Sequence, residues 1–243
     1  MDDGARGAMP GRLGVLVVPA AVVEAPLTLE DVYVPVENLL GGVEGQGMAQ
    51  AQEVFGYTRL MVAAFGLGAG VAALDRAVEY ARERVQAGSP LIEKQAFTHK
   101  LLVPHAVRLM ASRAYIEEIA HRIDAQEGRL GTEGAIAKLI ATEAGLAASE
   151  AAIQAMGGYG YTRFFPIEKL LRDTRLFRIY EGTSEIQQNI VSTFRWKKAR
   201  KTKGAFYEAM AKGLDERHGD CDRAGCQILA ACVRALNRTI DFA

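Results

Sequence analysis

Apolar and polar residues alternate in two different ways along this chain. The first 35 residues carry short runs of strand type, Leu13-Gly-Val-Leu-Val-Val18 and Leu27-Thr-Leu-Glu-Asp-Val-Tyr-Val34, and four of the seven prolines (Pro10, Pro19, Pro26, Pro35). The second run changes face midway, which calls for a kink or bulge near Asp31. Two strands do not make a stable sheet alone, so this stretch reads as the end of a larger β-structure. From Gly47 the spacing of apolar residues turns helical. One helix is predicted from Gly47 to about Gln86, ending at Ala87-Gly-Ser-Pro90, and a second from about Ile92 to Gln126. Pro104 within the second predicts a kink. A third, from about Thr132 to Met156, stops at Gly157-Gly158 and repeats alanine every three or four residues from Ala137 to Ala155. Such a face favours close packing, and three long helices with short breaks predict an antiparallel bundle.

Beyond the bundle, 157–182 reads as loop. A further helix is predicted from Ser184 to about Trp196, with Ser184 and Gln187 forming a capping box. Two amphipathic candidates follow, about Gly204–Glu216 and Arg223–Asn237. The division expected is a β remnant and junction over 1–42, a helical domain over 43–196 and a helical extension over 197–243. The fold class is mainly α, an antiparallel helical bundle preceded by a short β remnant.

Composition narrows the function classes. Lys and Arg total 29 and Asp and Glu 29, so the formal net charge is zero and the electrostatic footprint of a nucleic-acid binder is missing. Hydrophobic residues make up 49%, too many for a mainly disordered chain. Arg195–Lys203 holds six basic residues in nine, which reads as a solvated face at a helix C-terminus rather than a lipid contact. Cys221, Cys226 and Cys232 form neither a disulfide framework nor a paired metal motif, so reduced thiols, no metal and a cytoplasmic setting are expected. The N-terminus does not read as a signal peptide. The uncharged run Leu60–Leu74, closed by Arg59 and Asp75, is shorter than the ~20 residues a membrane span needs.

Three stretches can carry chemistry. Glu181, in Ile179-Tyr-Glu-Gly-Thr-Ser-Glu-Ile-Gln187, sits before a capped helix between desolvating neighbours and a glycine, as suits an adjustable proton acceptor. It could equally be an acid favoured by the helix dipole. Gln154-Ala-Met-Gly-Gly-Tyr-Gly160 exposes backbone groups to a ligand or simply stops a helix; no strand precedes it, so it is not a dinucleotide fingerprint. Gly66-Leu-Gly-Ala-Gly70 fails the same test and reads as close helix packing. Arg84, at a helix end before a Gly-Ser-Pro turn, could meet a pyrophosphate or merely face solvent.

In this order and at these spacings, the stretches resemble the C-terminal half of an acyl-CoA dehydrogenase. The family's Arg-x-x-Phe-Gly turn with a following Gln corresponds to Arg84–Gly88 with Gln95. Its Gln-x-x-Gly-Gly-x-Gly loop corresponds to Gln154–Gly160, its Arg-Asp pair to Arg172-Asp173, and its Tyr-Glu-Gly-Thr-Ser to Tyr180–Ser184. Leu29–Pro35 and Asn38–Gly42 resemble the family's strand-to-helix junction, and the likeness covers about Leu27 to Arg195. It implies an FAD-dependent oxidoreductase of fatty acid metabolism that converts acyl-CoA to trans-2-enoyl-CoA and is reoxidised by electron-transferring flavoprotein. Glu181 would take the α-proton while hydride leaves the β-carbon for FAD. By the same resemblance Arg84, Gln95, Gln154, Gly157, Gly158, Thr183 and Glu185 contact FAD, some of them in a neighbouring subunit. Arg59 and Gly182 contact the CoA substrate. Ala87 stands where the family commonly has Phe. The resemblance also implies a homo-oligomer, or a chain completed by an N-terminal-half partner, because the family's N-terminal half has no counterpart here. The competing expectation is a non-catalytic helical module that acts in oligomerisation or complements a partner.

Overall fold

A computed structural model describes residues 16–17, 23–24, 28, 30–128 and 130–203, with 205, 209, 212, 213 and 216. The chain divides into two compact units, residues 1–52 and 53–243. In the first, β1 (Leu16–Val17) pairs antiparallel with β2 (Val23–Glu24), Leu16 opposite Glu24 and Val17 opposite Val23. Of the expected strand over Leu27–Val34, residues 28 and 30–34 are described, and they hold only a one-residue bridge at Tyr33. Asp31 turns to φ +49° where a kink was foreseen, and Val32, Tyr33 and Val34 are exposed. A 3₁₀ turn follows at Val36–Asn38, and the Gln50 amide donates to the Leu40 carbonyl at 3.0 Å.

The second unit is helical. α1 (Gly47–Glu83) begins in the first unit and supplies its inward face from Gly56 onward. A tight hairpin, β3 (Val85–Gln86) with β4 (Ser89–Pro90), replaces the simple break foreseen at its end. Ala87 and Gly88 form its tip at φ +47° and +83°, a conformation that Asn-Gly adopts more readily than Ala-Gly. The second predicted helix is two: α2 (Gln95–Leu101) and α3 (Val103–Asp124). Pro104 lies in the first turn of α3, where its missing N–H costs nothing, so it starts a helix rather than bending one. α4 (Gly131–Met156) ends at Gly157, φ +59°.

The stretch read as loop holds two further helices, α5 (Gly158–Tyr161) and α6 (Ile167–Phe177). On α6 the inward residues Ile167, Thr174 and Leu176 are interrupted by Arg and Lys that pair at the surface, Arg172 with Glu168 and Lys169 with Asp173. Those charges masked the helical period. α7 (Ser184–Thr202) runs past Trp196. Of the tail, Ala205, Ala209, Lys212, Gly213 and Glu216 are helical; the candidate at Arg223–Asn237 and the three cysteines lie outside the described residues.

Helix α4 is the centre of the bundle. Gly66 and Gly70 of α1 approach it so closely that a Cβ on Gly145 would lie 2.2 Å from the Gly66 carbonyl oxygen, and one on Gly134 would lie 2.6 Å from that of Gly56. Gly56 meets Gly134 and Gly66 meets Gly145, so α1 and α4 run parallel. The antiparallel α3 fills the angle between them: Leu109 reaches Gly70, and Ile116 packs with Ala63, Ala137 and Ala141. The larger core cluster joins Ala73, Leu74 and Ala77 of α1 to Leu109 of α3, Ala148 and Ala152 of α4, and Ile167 of α6. α1 is long and apolar enough to cross a membrane by length and composition, unlike the shorter run between Arg59 and Asp75. Its glycine- and alanine-rich side is committed to α4, as in the core helix of a bundle.

Candidate functional site

The turn between α6 and α7 carries Glu181, and both its backbone and its side chain are tied down. Glu181 has φ +56° and Gly182 φ +90°. A Cβ on Gly182 would lie 2.6 Å from the Gln187 amide nitrogen, so glycine is required both for the dihedral and for the approach. Gln187, fully buried on α7, donates to the carbonyls of Glu181 at 3.0 Å and Gly182 at 2.8 Å. Ser184 N–H donates to the Arg178 carbonyl at 3.0 Å, and Glu143 of α4 accepts from both Arg178 Nε and Ser184 Oγ at 2.7 Å.

The expected capping box is therefore displaced. Thr183, not Ser184, caps α7, its hydroxyl accepting from Ile186 N–H at 3.3 Å. Ser184 is turned inward to Glu143, and Gln187 reaches back to the turn carbonyls instead of to the cap's N–H. The sequence signal was sound in announcing a helix start and off by one residue in its hydrogen bonds.

The half-buried Glu181 carboxylate meets α1. Thr58 Oγ1 donates to its Oε2 at 2.8 Å. Among the described residues no group donates to Oε1, and the Glu181 N–H meets no acceptor. Arg59, the next residue, is half-buried with an unpartnered Nε, and its guanidinium lies over the Phe55 ring at 5.5 Å. Burial holds the Arg59 pKa below the ordinary arginine value, while the Glu181 charge works against that shift. From α4 comes Lys138, fully buried, whose ammonium donates to the Gly182 carbonyl at 2.5 Å. Burial, then the Arg59 charge, push its pKa down to about 8, against the opposing pull of Glu181, Glu143 and Glu185. Glu185 itself is exposed on α7; a hydrogen bond from its own backbone N–H, then one from the Thr183 hydroxyl, hold its carboxyl below the usual range.

Lys138, Thr58 and Glu143 were not singled out from the sequence. A signal for Lys138 existed: it interrupts the series Gly134, Ala141, Gly145, Ala148, whose spacing puts it on the most buried face of α4. A lysine there needs a polar partner.

A second group of candidates lines a groove of about 480 Å³ at the other end of α4. Arg84, Gln154, Gly157 and Gly158 line it with Tyr80 and Leu91. Tyr80, Tyr159 and Phe165 meet edge-on or tilted, with ring centroids 5.9 to 6.2 Å apart. Nothing lies within 4 Å of where a Cβ would stand on Gly157 or Gly158, so that backbone is open to a ligand. An exposed guanidinium, an amide and bare glycine backbone beside aromatic rings suit one part of a flavin dinucleotide. Gln95, exposed at the start of α2, is not among the groove's lining residues, and Thr183 and Glu185 belong to the Glu181 turn.

The span that carries both constellations is similar to known proteins. The profile of the acyl-CoA dehydrogenase C-terminal domain matches residues 45–194. An acyl-CoA dehydrogenase of Bacillus subtilis is 40% identical over 170 residues, 69% of this chain and 44% of the relative. The CarC subunit of the caffeyl-CoA reductase–Etf complex of Acetobacterium woodii is 36% identical over 172 residues, 71% of this chain and 45% of that one. The butyryl-CoA dehydrogenase structure from Megasphaera elsdenii superposes with a TM-score of 0.66 at 36% identity, covering 70% of this chain and 43% of that one. The chain thus spans less than half the length of the relatives it matches. Over that span, sequence and fold agree: this chain belongs to the acyl-CoA dehydrogenase family, through its C-terminal helical domain.

Proposed function

We propose that the chain is the catalytic half of an FAD-dependent acyl-CoA dehydrogenase in which Glu181 is the base that removes the α-proton of the acyl thioester. The observation that carries this reading is the state of the Glu181 carboxylate: half-buried, with Oε2 held by Thr58 at 2.8 Å and Oε1 left to accept a proton. A thioester α-carbon is a weak acid, so the base must be fixed at it and the developing enolate stabilised. The unengaged Glu181 N–H, a bare donor in a left-handed turn, supports that second role. Gly182 keeps the turn narrow, and Arg59 supplies a partly desolvated positive charge for the anionic end of the substrate.

Arg84, Gln154, Gly157 and Gly158 would hold the cofactor, with Gln95 from the hairpin side and Thr183 and Glu185 from the base turn. FAD, when bound, supplies the acceptor for the β-hydride. The oxidation to trans-2-enoyl-CoA is the direction favoured here. Related chains include a reductase subunit, and the same carboxylate returns a proton in the reverse reaction. An Etf-containing relative supports electron-transferring flavoprotein as the redox partner. A homo-oligomer, or a complementing N-terminal-half chain, is the assembly proposed to supply the other walls of the open groove.

The test is acyl-CoA-dependent dye reduction by the full chain with FAD and an N-terminal-half partner. Activity is expected, and Glu181→Gln should lower it by about 10²–10⁴-fold. Undiminished activity in Glu181→Gln would refute the assignment of the base. A stable complex that binds flavin but never reduces dye would favour the non-catalytic module.

A further inference from the structure

We propose that Lys138 is a positioning residue for the base: its buried ammonium fixes the Gly182 carbonyl from inside the bundle and sets the charge behind Glu181. This rests on Glu181 being the base.

The argument begins with cost. A lysine on the most buried face of α4 loses its hydration, and only good partners can offset that loss. Its direct partner is not a carboxylate but a carbonyl, that of Gly182, at 2.5 Å. Had the role been structural alone, Met or Leu would fill the space beside Ala137 and Ala141 at no electrostatic cost. What Lys138 holds is the Gly182–Thr183 peptide, one residue beyond Glu181 in the same left-handed turn, and fixing it limits where the Glu181 backbone can stand. Gln187 grips the same carbonyl from α7 at 2.8 Å, so the turn is clamped from two helices.

The second half of the inference is electrostatic. The charged groups around Lys138 come from every element packed on it: Arg59 from α1, Glu143 from α4 itself, Glu181 from the turn and Glu185 from α7. Arg59 and Lys138 both act on the Glu181 carboxylate, and both are short of water. Both would attract the enolate oxygen that forms once the proton has moved. The Glu181 charge bears on Lys138 in turn, supporting its charged form.

Two measurements on the full chain test this. In the first, the ε-carbon resonance of Lys138 is titrated by NMR. The midpoint is expected near 8 in the wild type, and lower in Glu181→Gln, where a supporting negative charge has gone. An unchanged midpoint would overturn the coupling, and this readout does not require flavin or a partner. In the second, Lys138→Met keeps the volume but removes donor and charge. Amide exchange at Ser184 and Ile186 should accelerate about tenfold or more, while exchange in α3 stays near wild type. In the reconstituted enzyme kcat should fall about tenfold while KM stays near wild type. If turn exchange and kcat both stay at wild-type values while Glu181→Gln still abolishes turnover, Lys138 has no positioning role and the base assignment survives. Should Lys138→Met fail to fold, the NMR titration of the wild type and Glu181→Gln decides alone.

Discussion

The two ends of α4 are built on opposite plans. At the end near Lys138, the Glu181 turn is enclosed: its carbonyls are gripped by Lys138 and Gln187, its carboxylate by Thr58, and its flanks by the Glu143–Arg178–Ser184 cluster. At the end near Gln154, the groove is open, with Gly157 and Gly158 bare and Arg84 exposed. A proton acceptor has to be held before the reaction, and one folded chain can do that. An open groove can instead be shared with a neighbour. The comparison teaches that the Glu181 turn is complete in its own contacts, whereas the groove is a surface left open to a ligand.

Substitutions can break or sharpen that contrast, and the largest effect is expected beneath the enclosed end. Gly145→Ala would drive a methyl to 2.2 Å from the Gly66 carbonyl oxygen, forcing α1 away from α4. Destabilisation of about 3 kcal/mol is expected from overpacking, read as a lower denaturation midpoint. Gly182→Ala adds a left-handed penalty to a clash with Gln187, and should cost about 2 kcal/mol, with Glu181 displaced and dye reduction correspondingly lost.

Next in size is a pH effect from Lys138. Its folded pKa, about 8, lies below the unfolded value of 10.5. Below pH 8 both states are protonated and burial of the charge destabilises the fold. Between pH 8 and 10.5 the unfolded state binds more protons, so stability should rise with pH. Relative to Lys138→Met, the wild type is expected to gain roughly 1–2 kcal/mol over that window, after discounting for solvent screening, measured by urea unfolding at stepped pH. A parallel course of the two proteins would contradict the burial.

The open end should be far more forgiving. Ala87→Asn, at the hairpin tip with φ +47°, is expected to stabilise by about 0.5–1 kcal/mol, because Asn accepts the left-handed region better than Ala. Smallest of all, Gly158→Ala meets nothing within 4 Å and should change stability by less than about 0.5 kcal/mol. A large loss there would mean that the groove is as tightly built as the base turn.

The amino-acid sequence alone announced the long helices, the stop at Gly157, the packing role of the Gly66–Gly70 string and the candidates Glu181, Arg84 and Gln154. Each of these rests on local pattern: apolar period, glycine punctuation, or a motif whose residues are contiguous. It misread the places where local pattern is ambiguous. The Leu27–Val34 run has strand composition, yet its described residues hold only a one-residue bridge at Tyr33 and leave Val32, Tyr33 and Val34 exposed. Pro104 reads as a kink until its position in the first turn of α3 is known. The charges of α6 hid an amphipathic helix, and Ser184 could not be told from Thr183 as the cap without dihedral angles. Tertiary structure alone decided the surroundings of Glu181. Thr58 lies 123 residues before it and Lys138 lies 43 before it, and they meet only because α1 and α4 approach backbone to backbone through facing glycines. Proximity between distant segments is a property of packing, and no local spacing encodes it.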